Sequence, residues 1–378
     1  MDASAIPAEA WIAVGGEDAV REPGSFLVAE VEGESIVVVR GRDGVVRGFY
    51  NVCQHRGTAI TEETCGKAVR FQCPYHAWIY DLDGRLIRAK HTEDLEGFSF
   101  EGYSLREVSV AVRGGSVVVC LGQAPSTSPS RTEPPFLTAA EVGAIRQPYR
   151  SASLPPGRAY HDPGIFEFER RDWWRREWVC VGREEEAPEP GSTFRVPFDH
   201  DELVVSRWDD GVLRAMTVHE PESPKAETWQ GFIFVSFDPA SPPLVEWLDD
   251  LADHLERFDF SSLRAAHRVE YDVAANWKLI AENYSECYHC PGVHPQLNRL
   301  TPYDLGGDFD TRGPWQGGWM ELAGDAETMA LHGGQRAGRP ALPGMTELDE
   351  RRIVYYLVWP LTFLSLHPDY VLVHRLQP

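Results

Sequence analysis

The sequence is short of basic residues: across 378 positions, 36 Lys and Arg stand against 58 Asp and Glu, a formal charge of −22. Gripping nucleic acid or an anionic membrane needs clustered Lys and Arg, so both partner classes are excluded. No apolar run approaches the roughly 18 residues that a membrane-spanning helix needs. The opening "MDASAIPAEAWIAVGGEDAV" has no basic stretch before an apolar core and carries early acids, so it does not read as a secretory signal. Cysteine is scarce, odd in number at seven, and unevenly spread, which excludes the dense framework of a small disulfide-stapled secreted domain. Together these absences predict a cytoplasmic protein whose cysteines serve as ligands or core residues. What is present is ordinary for a globular chain, 43% hydrophobic and 25% charged, and long enough for two or three domains.

"APSTSPSRTEPP", from Ala124 to Pro135, is too rich in Pro, Ser and Thr to build a core and reads as a linker. The chain repeats itself on either side. "WIAVGGEDAVREPGS" from Trp11 matches "WVCVGREEEAPEPGS" from Trp178, and "VVVRGRDGVVRGF" from Val37 matches "VVSRWDDGVLRAM" from Val204. The offset stays at about 167 residues over about 43 positions, roughly a third of them identical, as duplication produces. Short β-branched runs closed by Asp-Gly predict strands and hairpins in both copies. After Phe49 the first copy runs into "NVCQHRG". The second passes through "TVHEPESPKAETW" to "QGFIFVSFDP" without any such insert.

That insert holds "CQHRG" (Cys53, His55) and "CPYHAWIY" (Cys73, His76), about 17 residues apart. Two thiolates and two imidazoles at paired short spacings suit zinc or a Rieske [2Fe–2S] centre. A Rieske centre places two cysteines on one iron and two histidines on the other, so each half-motif must offer one sulfur beside one nitrogen, as C-x-H and C-x2-H do. A zinc finger more often pairs like with like. Cys65, between the halves, has no evident mate and is expected in core or loop.

"NWKLIAENYSECYHCPGVH", from Asn276 to His294, carries a second set. Trp277, Ile280, Tyr284 and Cys287 recur at helical spacing without Gly or Pro up to Cys290, and Pro291-Gly292 is expected to stop the helix. Glu286 and His289 would share a face, and His294 falls just past the break. Two imidazoles converging at a helix end suit a divalent metal, and one added carboxylate would complete a 2-His-1-carboxylate site. Cys287 and Cys290 form a C-x2-C, but at the helix C-terminus, where the macrodipole does not favour a thiolate; they are expected to pack the helix.

Both stretches resemble one family. "CQHRG…CPYHAWIYDLDG" is similar to the cluster signature of Rieske non-haem iron oxygenases, and "NWKLIAENYSECYHCPGVH" to the mononuclear-iron motif of their α subunits. The resemblance implies that Cys53 and Cys73 hold one cluster iron, that His55 and His76 hold the other, and that His289 and His294 bind the lone iron. Glu286 would bridge across a subunit boundary to a cluster histidine of a neighbouring copy, which implies a homotrimer. Asn276 and Asn283 match polar positions near that iron. The third iron ligand stays unknown: in the family it is an Asp in a final helix, and "RIVYYLVWPLTFLSLHPDYVLVHRLQP" matches only the strands before it. Asp304, Asp308, Asp310 and Asp369 do not fit that motif.

The fold class expected is α+β: a Rieske β domain over 1–122, a linker over 123–154, a cluster-less Rieske-like β frame over 155–240, and a helix-grip (START-like) antiparallel-sheet catalytic domain over 241–378 that looks C-terminally incomplete. "YHDPGIFEFERRDWWRREWVCVGREEEAPEPG", from Tyr160, resembles the usual start of a family member, so the leading unit would supply the cluster and the second copy would be scaffold. "PLVEWLDDLADHLERF" from Pro243 predicts an amphipathic helix. The resemblance implies O₂ chemistry fed by an NAD(P)H-dependent reductase. Trp315, Trp319, Tyr355 and Tyr356 could cage a quaternary ammonium substrate by cation–π attraction, as in the betaine, carnitine and choline branch, or pack a plain core. An aromatic-ring dioxygenase and an electron carrier with an inactive oxygenase domain are the other readings. His91, His200, His219, His254, His267, His332, His367 and His374 fit no ligand spacing.

Overall fold

Apolar residues alternating at a period of two dominate the first 120 positions, and in the computed structural model of the chain they become sheet. The structure describes residues 11–377 apart from 94, 122–136, 149, 220–221 and 331–333; the linker reading at 124–135 and His332 lie outside the described residues. The chain divides into two units, 1–155 and 156–378.

The first unit holds β1 (Ile12–Gly16), β2 (Ser25–Val31), β3 (Glu34–Arg40), β4 (Val46–Tyr50), β5 (Cys65–Lys67), β6 (Phe71–Gln72), β7 (Ile79–Tyr80), β8 (Leu86–Arg88), β9 (Glu107–Arg113) and β10 (Ser116–Cys120). Seven pair in the order β1-β10-β9-β4-β3-β2-β5, and β6-β7-β8 make a small second sheet. β3 shows how alternation builds two cores. Val37 and Val39 pack with Phe49, Phe71, Cys53 and Cys73, while Ile36 and Val38 pack with Leu27, Val117 and Val119. Cys65 lies exposed on β5 rather than in the core.

The second unit opens with β11 (Val179–Arg183), β12 (Thr193–Phe198), β13 (Asp201–Arg207), β14 (Leu213–Thr217), β15 (Lys225–Trp229) and β16 (Phe232–Ser236). The pairings β11-β16-β15 and β12-β13-β14 repeat β1-β10-β9 and β2-β3-β4. Details recur too. Asp43 accepts from the Arg47 guanidinium and the Val45 amide beside Gly44 at φ +80°, and Asp210 does the same with Arg214 and Val212 beside Gly211 at φ +79°. An αL position after Asp closes a hairpin with the right twist, which is why Asp-Gly marks both turns. The frame keeps a core of its own around Val181, Leu203, Val205 and Ile233, but its packing continues past the expected boundary at 240. Trp178, Cys180, Phe232 and Phe234 share one core with Leu244, Trp315, Tyr356 and Leu366.

Strands β17 (Gly306–Asp308), β18 (Trp315–Glu321), β19 (Arg352–Val358), β20 (Thr362–Leu366) and β21 (Val371–Arg375) form one antiparallel sheet in chain order. On one face Val354, Tyr356, Val358, Leu364 and Leu366 meet Leu244, Leu248, Leu251 and Leu255. Those leucines sit on two short helices, Leu244–Leu248 and Asp250–Leu255, because Asp249 at φ +49° interrupts the single helix expected there. On the other face lies the helix Trp277–Tyr284. Trp277 clusters with Leu361, Ala281 with Leu357 and Phe363, and the Tyr284 hydroxyl donates to the Leu364 carbonyl at 2.7 Å beside Ser365. The helix therefore runs alongside β20.

Glu169 anchors the start of that helix. Its carboxylate accepts from Trp277 Nε1 at 2.9 Å and from Lys278 Nζ at 2.7 Å. The pair is mostly buried, and removing one partner strands a charge. Glu169→Gln should cost about 2–3 kcal/mol, somewhat below the range for a fully buried pair. A denaturant titration checks this, and adding Lys278→Met should recover part of the loss.

Candidate functional site

Two loops of the first unit carry the first donor set, and they are built alike. The Cys53 amide donates to Thr58 O and the Gly57 amide to Cys53 O; the Cys73 amide donates to Trp78 O and the Ala77 amide to Cys73 O. Each loop turns back through a positive φ, at Gly57 (+74°) and at Ala77 (+55°). The folding-back aims amides at sulfur: those of His55 and Arg56 at Cys53, and those of Tyr75 and His76 at Cys73. The two thiols meet each other, and Tyr80 Oη lies 3.2 Å from Cys53 Sγ. The hydrogen bond from Cys73, helped by Tyr80 and the amides, holds the Cys53 thiol well below the usual range, while the same bond and burial push Cys73 up. The His55 and His76 ring centroids lie 4.6 Å apart, and His55 stacks on Trp78 at 4.5 Å.

This donor set fits the cluster. Sulfur stands with sulfur and imidazole with imidazole, as two irons with different ligands require. Amides directed at sulfur stabilise thiolate and tune a cluster's potential.

The second set stands where the helix Trp277–Tyr284 ends. It ends earlier than the Gly- and Pro-free pattern implied, because the Ser285 hydroxyl donates back to Ala281 O at 2.8 Å. Pro291 and Gly292 do not stop a helix; they open the short turn Cys290–Val293, where a missing proline amide costs nothing. Glu286 and His289 therefore meet across a turn rather than on a helical face. Glu286 Oε1 accepts from His289 Nδ1 at 2.8 Å, and Oε2 accepts from the Tyr288 amide. The same turn joins Cys287 to Cys290 in a disulfide, so they do more than pack. His289 and His294 face each other with centroids 5.2 Å apart. Burial, and then His289, hold His294 below the usual histidine range, which favours the neutral form that ligates metal. Among the described residues no third carboxylate, thiol or imidazole gathers with both. Asp369 is engaged by Thr328 and Arg339.

Other expected residues fall differently. Asn276 caps the helix, accepting from the Lys278 amide and donating to Tyr160 O, so its polar atoms serve the helix start. Asn283 lies exposed on that helix. The four aromatic residues cannot form one cage. Tyr355 and Tyr356 are neighbours on β19 and point to opposite faces. Trp315 and Tyr356 sit in the leucine-lined core, Trp315 donating to Asp250, and Trp319 is covered by the Arg352 guanidinium at 3.6 Å. Of the four, Tyr355 alone faces the helix Trp277–Tyr284, which leads to the two histidines. There it meets Tyr284 edge-on at 5.9 Å, and Tyr284 stacks on Phe363 at 4.6 Å. Sequence reasoning missed Phe363 and this role of Tyr284. The available signal was that Tyr355 and Phe363 occupy the same parity class on two paired strands.

Comparison with known proteins agrees with this layout. The family described as Rieske [2Fe-2S] domain matches residues 10–99, and the ring hydroxylating alpha subunit (catalytic domain) matches 260–378. The carnitine monooxygenase oxygenase subunit of Acinetobacter pittii is 39% identical over 294 residues, 77% of this chain and 48% of the relative. The glycine betaine monooxygenase oxygenase subunit of Chromohalobacter salexigens is 24% identical over 296 residues, 78% of this chain and 40% of that one. The chain thus spans under half the length of these relatives. A solved structure of the quaternary ammonium Rieske monooxygenase CntA aligns with 97% of this chain and 65% of its own, at 20% identity and a TM-score of 0.31. With a Rieske domain in its first unit and the ring-hydroxylating catalytic domain in its second, the chain belongs to the Rieske non-haem iron oxygenase α subunits.

Proposed function

We propose that the chain supplies the oxygenase activity that hydroxylates a small quaternary ammonium acid, with O₂ and two electrons from an NAD(P)H-dependent reductase. The observation that carries this reading is the co-occurrence of two donor sets, the amide-backed Cys53/Cys73 pair with His55 and His76, and the His289–His294 pair at the end of a helix lined by tyrosines. The activities named for the relatives support the substrate class.

When bound, the cluster would pass single electrons and ferrous iron would activate O₂. The overall balance is R–H + O₂ + 2 e⁻ + 2 H⁺ giving R–OH + H₂O; on an N-methyl carbon of a quaternary ammonium the hydroxymethyl product breaks its C–N bond to give the demethylated amine, formaldehyde and a proton. The chain's own residues do the rest. By accepting the Nδ1 proton, Glu286 fixes the His289 tautomer and leaves the Nε2 lone pair outward. In a homotrimer, Glu286 would bridge to the cluster histidine of a neighbouring copy, a role that suits an acceptor-only carboxylate with two oxygens. Trp78 covers the His55 ring and limits water there. Tyr284 and Tyr355, which meet edge-on with Phe363 stacked behind Tyr284, would supply the ring surface that attracts a cation having no N–H to donate.

Protein loaded anaerobically with iron and sulfide, then given a chemical reductant, should consume O₂ when glycine betaine or carnitine is added. Uptake stimulated by benzoate or naphthalene and by neither ammonium acid would overturn this reading.

A further inference from the structure

Among the described residues, both ring nitrogens of His367 are buried without a hydrogen-bond partner, and only 3% of the residue is exposed. A buried polar side chain left unsatisfied calls for an explanation. Its position suggests one. The helix leading to the metal histidines tracks β20, with Trp277 at Leu361, Ala281 at Phe363 and Tyr284 at Ser365. His367 is the next position of the same parity, about 7 Å beyond Ser365 at strand spacing. It therefore lies on the helix-covered face, at the helix end from which Glu286 and His289 emerge.

The ring plane is set by Tyr370, stacked at 4.1 Å and 11°. Burial holds His367 down at about 4, with Asp369 opposing and His374 adding, so the ring is neutral and presents one N–H and one lone pair. Asp369 does not repel an incoming anion, since Arg339 Nε donates to it at 2.7 Å and Thr328 Oγ1 at 2.6 Å.

We propose that His367 is a specificity-determining residue that donates a ring N–H to the substrate carboxylate, while the ammonium end lies among Tyr284, Tyr355 and Phe363. This rests on the reading of the substrate as a quaternary ammonium acid. Choline carries the same trimethylammonium head without the carboxylate, so it separates the two contacts.

Calorimetric binding to iron-loaded protein should favour glycine betaine over choline by at least about tenfold, as expected for a charge-assisted hydrogen bond in a dry site. His367→Leu should erase that preference, and His367→Gln, which keeps an N–H donor, should retain most of it. In the unsubstituted protein, the ¹⁵N shifts of His367 should move with glycine betaine and stay put with choline, a readout that does not depend on a variant folding. If glycine betaine binds but the His367 shifts stay put, or the leucine variant keeps the preference, His367 serves a water or the fold and the inference fails while the functional reading stands. If neither compound binds the unsubstituted protein, the functional reading fails and His367 with it.

Discussion

Alanine at His289 or at His294 should remove about one iron per chain and lower product formation by more than about 100-fold, beyond the 10–100-fold typical of changes behind the ligands. The two imidazoles lie with centroids 5.2 Å apart, and among the described residues no third donor gathers with both of them. The visible and EPR signals of the cluster should survive, because its loops are held by the first unit's own core. Glu286→Gln makes the useful contrast. It keeps the shape but weakens the acceptor for His289 Nδ1, so iron should remain at reduced affinity and turnover should fall within the 10–100-fold range. Iron analysis with single-turnover product measurement checks the set. Unchanged metal and turnover in both alanine variants would remove the assignment of these histidines.

Serine at Cys53 or Cys73 should bleach the protein, abolish the reduced-cluster EPR signal and remove about two irons per chain, since a cluster iron cannot be held by one thiolate. With electrons no longer delivered, O₂ uptake should fall to background even though His289 and His294 are intact. A second pair of changes tests the kind of cluster. His55→Cys with His76→Cys gives four thiolates, and the potential should drop from the Rieske range of about −150 to +300 mV toward about −400 mV. A colourless starting protein that binds zinc at these four residues would sink the assignment. The loops themselves should tolerate the histidine changes, because their closure depends on backbone bonds at Cys53, Gly57, Cys73 and Ala77.

Much of the site was legible because ligation is local. C-x-H and C-x2-H bring sulfur beside nitrogen within a single tight loop, and the duplication is visible as a constant offset whose hairpins then fold alike down to the Asp43–Arg47 and Asp210–Arg214 pairs. The second set was read correctly as two histidines near a helix end, but the end itself was misplaced. Both the amide and the hydroxyl of Ser285 land on the Ala281 carbonyl at the helix end, and a side-chain bond of that kind leaves no mark in apolar spacing.

Spacing along the chain was enough to single out the candidate ligands, the repeated β unit and the acidic character of the protein, since each depends on neighbours or on bulk composition. Tertiary packing alone chose the face. After Arg352, "IVYYLV" carries no charged residue because helices cover both sides of its strand, so the polar alternation that would mark an inside and an outside is missing. Only the fold turns Tyr355 toward Tyr284 and Tyr356 into the leucine core, and only the fold leaves His367 buried with no hydrogen-bond partner among the described residues.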